Sequence, residues 1–160
     1  MNIIAIIPAR MGSSRFPGKP LADIHGIPMV GHVTIRTAMC KELSSTWIAT
    51  CDQVVMDYAA SAGLKAVMTA DTHVRCTTRT AEAMLKIEEM TGQRADIVVM
   101  VQGDEPMVRP EMIDAAIAPM LTDPSINVTN LMADMDTLEE FEDPNEVKVV
   151  VDRFNDALYF

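Results

Sequence analysis

The sequence predicts an α/β fold: a mostly parallel sheet with helices on both faces. Three observations carry that prediction. Short runs of β-branched and apolar residues recur along the chain, at Ile3 to Ile7, Trp47 to Thr50, Ala66 to Met68 and Ile97 to Val101. Segments with the spacing of amphipathic helices lie between them. The apolar runs do not alternate with polar residues, which is the pattern of strands covered on both faces. Strands and helices that alternate in this way build a parallel sheet through right-handed crossovers.

Each element has its own signal. Ile3 to Ile7 is the first strand, with Pro8 and Gly12 as its stop. Pro28 opens a helix at a position that tolerates proline, and the helix runs through Val30, Val33 and Ile35 toward Cys40. Trp47 to Thr50 is a short strand. Gln53 to Ala62 is helical, and Gly63 ends it. Ala66 to Met68 is a third strand. Thr78 to Thr91 carries Ala81, Met84, Leu85 and Ile87 at helical period, with Gly92 as its stop. Ile97 to Val101 is a fully apolar strand, and Pro110 opens a helix through Ile113, Ala116 and Ile117. Asn127 to Leu131 and Val147 to Val151 read as further strands. The acidic stretch from Asp134 to Asp143 reads as a solvated helix and loop. There is no internal repeat, low-complexity tract or linker.

Composition narrows the function. At 160 residues the chain is one domain by length, and 49% hydrophobic content is enough for a core. A formal net charge of −10 argues against nucleic acid and anionic membranes as partners. No apolar run is long enough to insert in a membrane, and no basic segment precedes the first apolar stretch, so a cytoplasmic protein is expected. Cys40, Cys51 and Cys76 are odd in number and form no C-x-x-C, which fits reduced thiols rather than a zinc site or disulfide framework. The 14 methionines read as flexible core filler. Aromatic content of 4% leaves little for base stacking.

In an acidic chain, a cluster of cations is informative. Arg10, Arg15 and Lys19 share one short loop directly after the first buried strand. That loop leaves the carboxyl end of a central strand, where open α/β sheets bind ligands. Cations and free backbone N–H groups there suit a polyphosphate. A P-loop does not fit: five residues rather than four separate Gly12 from Gly18-Lys19, and Pro20 has no hydroxyl for magnesium. The fingerprint G-x-G-x-x-G is absent. Solvated surface charge is the weaker alternative, because all three cations follow one buried strand.

A second loop should share that edge. Gln102-Gly103-Asp104-Glu105-Pro106 follows the most hydrophobic strand, so Asp104 lies at a strand's carboxyl end. An aspartate satisfying turn N–H groups and a hard oxygen ligand for Mg2+ are both open on pattern alone. The cationic loop on the same edge favours the ligand. Glu105 reads as structural.

These segments resemble a known family. Ile6-Ile7-Pro8-Ala9-Arg10, Ser13 to Leu21 and Gly26-Ile27-Pro28-Met29 are similar to the opening of a sugar cytidylyltransferase, nearest to the 3-deoxy-manno-octulosonate (KDO) cytidylyltransferases. Val101 to Met107 resembles that family's metal-site signature. Pro144 to Val150 and Ala157-Leu158-Tyr159-Phe160 match later segments in order. The resemblance implies a Rossmann-like fold of the nucleotide-diphospho-sugar transferase type. It implies transfer of CMP from CTP to KDO or a KDO-like sugar acid, with release of pyrophosphate. Asp104 would bind the magnesium that bridges the nucleotide phosphates. Arg10 and Lys19 would hold the triphosphate, supported by Arg15, and Gln102 would join the nucleotide contacts. Backbone groups of Pro8 and Ala9 would approach the cytosine.

His73-Val74-Arg75-Cys76-Thr77-Thr78-Arg79 aligns with the family segment that reads the base, usually His-x-Ser-Gly-Thr-Asp/Glu-Arg. His73, Thr77 and Arg79 are retained, while Arg75 and Cys76 depart from it. Ala49-Thr50-Cys51-Asp52 stands where the family has Ala-Thr-Asp. Those departures keep open a cytidylyltransferase for another nonulosonic acid or amino-KDO. A role near the nucleotide or sugar stays open for Asn145 and Lys148. The resemblance also implies a chain that continues past Phe160, into a sugar-binding and dimerisation part carrying a second metal aspartate. Residues 1–160 would then be the nucleotide-binding domain of a homodimer, and a binding module without turnover is the other-class alternative.

Overall fold

A computed structural model describes residues 1–12 and 16–160. In chain order its elements are β1 (Ile3–Ala9), a small hairpin of β2 (Asp23–Ile24) and β3 (Ile27–Pro28), α1 (Met29–Thr37), β4 (Ser45–Thr50), α2 (Gln53–Ser61), β5 (Ala66–Met68), α3 (Cys76–Thr91), β6 (Ile97–Met100), α4 (Pro110–Thr122), α5 (Leu138–Glu142), β7 (Val150–Val151) and β8 (Ala157–Tyr159). A single 3-10 turn at Lys19–Leu21 precedes the hairpin.

The main sheet has the order β5-β4-β1-β6, and every pair in it is parallel. β1 is buried along its whole length. Its two faces pack on different helices, because successive side chains point to opposite sides. Ile3 and Ile7 pack with Val30 and Val33 of α1, Val55 and Ala59 of α2, and Ile113 and Ile117 of α4. Ile4 and Ile6 pack with Ala83 and Ile87 of α3, together with Trp47 and Val67. Each fully buried isoleucine contributes about 2 kcal/mol of hydrophobic transfer. The predicted α/β architecture with helices on both faces is therefore the one observed.

The chain runs outward from β1 to β4 and β5, then returns to place β6 on the other side of β1. The strand order thus reverses between β1 and β6. Ligands bind outside the carboxyl ends of the strands at such a switch point.

Several boundaries differ from expectation. Pro8 does not stop the first strand, since β1 continues to Ala9. Pro8 falls beyond the last β1–β6 pair, Ile6 with Met100, so its missing N–H costs that ladder no bond. The first helix ends at Thr37, before Cys40, whose N–H donates to Thr37 O at 3.1 Å in a closing turn. The expected strand at Asn127 to Leu131 does not form. Thr129 instead donates its hydroxyl to Ala116 O of α4 at 2.7 Å. A groove of about 820 Å³ lies between β6, α4 and residues 128–131, so that segment has no ladder partner. The strand expected from Val147 shrinks to Val150–Val151, paired antiparallel with β8. Among the described residues, no helix is long and apolar enough to cross a membrane.

Candidate nucleotide-binding site

The loops after β1 and β6 face one another at the carboxyl edge of the sheet. Between them is a cleft of about 160 Å³ lined by Pro8, Ala9, Arg10, Lys19, Gln102, Gly103 and Asp104, with Cys76 at its rim. Lys19 reaches Asp104 across it, Nζ to Oδ2, at 2.6 Å. Their side chains are 32% and 41% exposed, so both can be reached by a ligand. Arg10 is exposed on the same wall and makes no ion pair among the described residues. Arg15 lies outside the described residues.

Local structure fixes these side chains. Ala9 is the last β1 residue in register with β4, opposite Thr50. Met11 N–H then donates to Asp52 Oδ2 at 2.8 Å, and Gly18 N–H donates to Met11 O at 3.0 Å. Gly18 takes φ +77°, a left-handed turn that favours glycine, and Lys19 follows at the start of the 3-10 turn. On the other bank, Val101 N–H donates to Ile6 O at 3.0 Å, and Glu105 N–H donates to Gln102 O at 3.2 Å in the turn that carries Asp104.

Apart from Gln102, the remaining candidates do not line this cleft. Thr77 lines the larger groove along β6, and Gln102 borders both spaces. Arg79 is only 3% exposed and donates to the Thr69 hydroxyl and, at 3.2 Å, to Ala70 O. One of its guanidinium nitrogens has no hydrogen-bond partner among the described residues. His73 meets Glu82 through Nε2 and lies 3.1 Å from the Thr78 hydroxyl through Nδ1. Asn145 and Lys148 fold back onto Asp143, Asn145 donating to its carboxylate and Lys148 to its carbonyl.

Two residues escaped the sequence reading. Asp52 holds the cation loop through Met11. Glu82 gathers Lys86 at 2.7 Å, His73, and the Ala70 N–H at 3.1 Å, tying the exit of β5 to α3. Lys86 and then His73 hold the Glu82 carboxyl down to about 2 from an ordinary 4.5. A carboxyl depressed on folding stabilises the fold above its unfolded value, and that stability is lost as pH falls through the folded value. The unfolding midpoint is therefore expected to fall between pH 4.5 and pH 2, and Glu82→Gln should remove this part of the slope. Parallel pH profiles for the two proteins would show that Glu82 is not held by its partners. The side chain is partly exposed, so added salt should shrink the difference.

The donor set can be tested against a magnesium ion. Among the described residues no group of three or more His, Cys, Asp or Glu side chains is gathered for a metal. A lone carboxylate beside a cationic wall still fits magnesium, which takes one or two carboxylates and completes its shell with substrate phosphate and water. Asp104 satisfies that requirement.

A parallel sheet, a switch-point cleft and a cation facing a carboxylate across it define an α/β protein with a charged cleft at the carboxyl edge of its sheet. The cytidylyltransferase family model matches residues 4–160, and the chain belongs to that family. It is 49% identical over all 160 residues to the 3-deoxy-manno-octulosonate cytidylyltransferase of Geobacter metallireducens, and 43% identical over 157 residues to one from Escherichia coli. It spans 61% of the length of each of these relatives. A solved structure of CMP:2-keto-3-deoxy-manno-octonic acid synthetase complexed with CTP superposes with a TM-score of 0.82 at 37% identity, over 99% of this chain and 63% of that one. A cytidylyltransferase from Leptospira borgpetersenii, 22% identical, shares the fold with a TM-score of 0.63 over 77% of this chain.

Proposed function

We propose that these residues form the nucleotide-binding part of a cytidylyltransferase that transfers CMP from CTP to KDO or a closely similar sugar acid. The observation that carries the reading is the cleft in which Arg10, Lys19 and Asp104 meet at the switch point. The relatives' names and the CTP in the similar structure support the two substrates.

The chemistry follows from these side chains. Transfer requires in-line attack of a sugar hydroxyl on the α-phosphorus with departure of pyrophosphate. The protein contributes positioning and charge. Arg10 presents a planar fork to phosphate oxygens, and Lys19 presents a point charge. Asp104 would hold magnesium, which neutralises charge developing on the phosphates. Pro8 and Ala9 border the cleft with backbone groups suited to the cytosine edge. Arg79, which donates to Thr69 and Ala70, and His73, which meets Glu82, would tie the segment before α3 to that helix and support a wall facing the base.

On this reading the sugar-acid pocket and the contacts of a homodimer belong to residues beyond the nucleotide domain. The exposed Val147, Leu158 and Tyr159 support packing of such residues against this domain. Three free cysteines support a cytoplasmic setting. Calorimetric titration tests the nucleotide half: CTP with magnesium should bind saturably, and Lys19→Ala should lose most of that affinity. Pyrophosphate release with CTP and KDO in the full-length protein tests the transfer. Equal CTP binding by wild type and Lys19→Ala would overturn the assignment of the cleft.

A further inference from the structure

Asp52 stands at the N-cap of α2, where an aspartate ordinarily accepts a hydrogen bond from the first turn of its own helix. Here its side chain makes no such bond. Val55 and Met56 donate instead to its main-chain carbonyl at 3.1 and 3.2 Å. The carboxylate turns away from the helix and accepts the Met11 N–H at 2.8 Å, 41 residues away in sequence. Its own N–H is held by the Thr50 hydroxyl at 3.1 Å, and Thr50 is fully buried at the end of β4. The main chain that carries the carboxylate is therefore anchored to the end of β4.

Arg10 hangs between two fixed points. Ala9 is locked in register opposite Thr50, and Met11 is gripped by Asp52. The same Met11 accepts the Gly18 N–H, so the approach to Lys19 hangs from it as well. One carboxylate thus sets the base of both cations in the cleft while remaining outside it, since Asp52 does not line that space.

We propose that Asp52 is a positioning residue for polyphosphate binding, acting through Met11 on Arg10 and Lys19. The proposal rests on the cleft being the phosphate site. An ionised acceptor on a backbone N–H makes a strong hydrogen bond, and it pre-organises cations that would otherwise have to be ordered when the ligand binds.

The test uses inorganic tripolyphosphate, which probes the cations without a base or sugar, and three proteins: wild type, Asp52→Ala and Asp52→Asn. Asp52→Ala should weaken tripolyphosphate binding about tenfold, the size of one lost hydrogen bond. Asp52→Asn should restore it to within about threefold, because the amide oxygen still accepts the Met11 N–H. A merely structural N-cap role predicts a lowered unfolding midpoint in the alanine variant with unchanged affinity, and that result would overturn the proposal. An asparagine variant as weak as alanine would overturn it too. Hydrogen exchange at the Met11 amide decides the contact without any ligand: protection should persist in wild type and Asp52→Asn and vanish in Asp52→Ala. Exchange of Met11 at equal rates in all three sinks the proposal. Failure of wild type to bind tripolyphosphate or CTP, with the exchange pattern as expected, would instead remove the reading of the cleft.

Discussion

Asp104→Asn is expected to act in opposite directions with and without magnesium. In the metal-free protein, Lys19 is tied to Asp104 at 2.6 Å, and a phosphate must compete for it. Asparagine releases the lysine, so tripolyphosphate affinity should rise about two- to fivefold, the range of a partly exposed ion pair. With magnesium the sign reverses. The carboxylate that opposes the metal is gone, and CTP affinity should fall by more than about tenfold, since loss of even an indirect partner of a metal costs that much. Glu105 separates the contact from the general field, because it neighbours Asp104 in the same turn and is exposed. Glu105→Gln should change both affinities little. Calorimetry of the three proteins with and without magnesium decides it. A shift in the same direction under both conditions would show that Asp104 does not alternate between lysine and metal.

Gly103→Ala should damage stability and binding together. A Cβ at Gly103 would lie 2.7 Å from Pro8 O, with Ile7 Cγ2 at 3.6 Å and Ala9 Cβ at 3.7 Å. The nearest atom is backbone of the central strand and cannot rotate away. The loop after β6 must back off from β1, and Gln102 and Asp104 move with it. Overpacking of this kind costs about 1–3 kcal/mol, and the same shift parts Asp104 from Lys19. A lower unfolding midpoint and weaker CTP binding in one variant are expected. Wild-type values for both would mean that the two loops do not touch at that point.

Much of this was readable from the chain, for a reason particular to parallel sheets. Strands buried on both faces announce themselves as unbroken apolar runs, and all their carboxyl ends fall on one edge. Arg10, Lys19 and Asp104 could thus be assigned to one cleft before any coordinates. Residues 127–131 have strand composition but no strand, because a ladder needs a partner and Thr129 is claimed by α4. The start of α3 lies at Cys76, ahead of the expected Thr78, since no capping side chain marks it. The short helix after Thr137 is signalled by its own start, where Thr137 and Glu140 form a reciprocal capping box. Asp52 and Glu82 were not legible as supports, because an acidic residue far from its partner in sequence looks like any solvated charge.

The two ladders that border β1 stop at different heights. The one with β4 continues to Ala9, while the one with β6 ends at Ile6. The banks of the cleft are therefore unequal in stiffness. The cationic bank is an anvil, bolted to β4 by backbone register and by a carboxylate. The bank carrying Asp104 is the jaw, held beyond Val101 by turns within itself, by Arg36 of α1 donating to Val108 O at 2.8 Å and by the reach of Lys19. The lysine bridge sets the gap between the two banks.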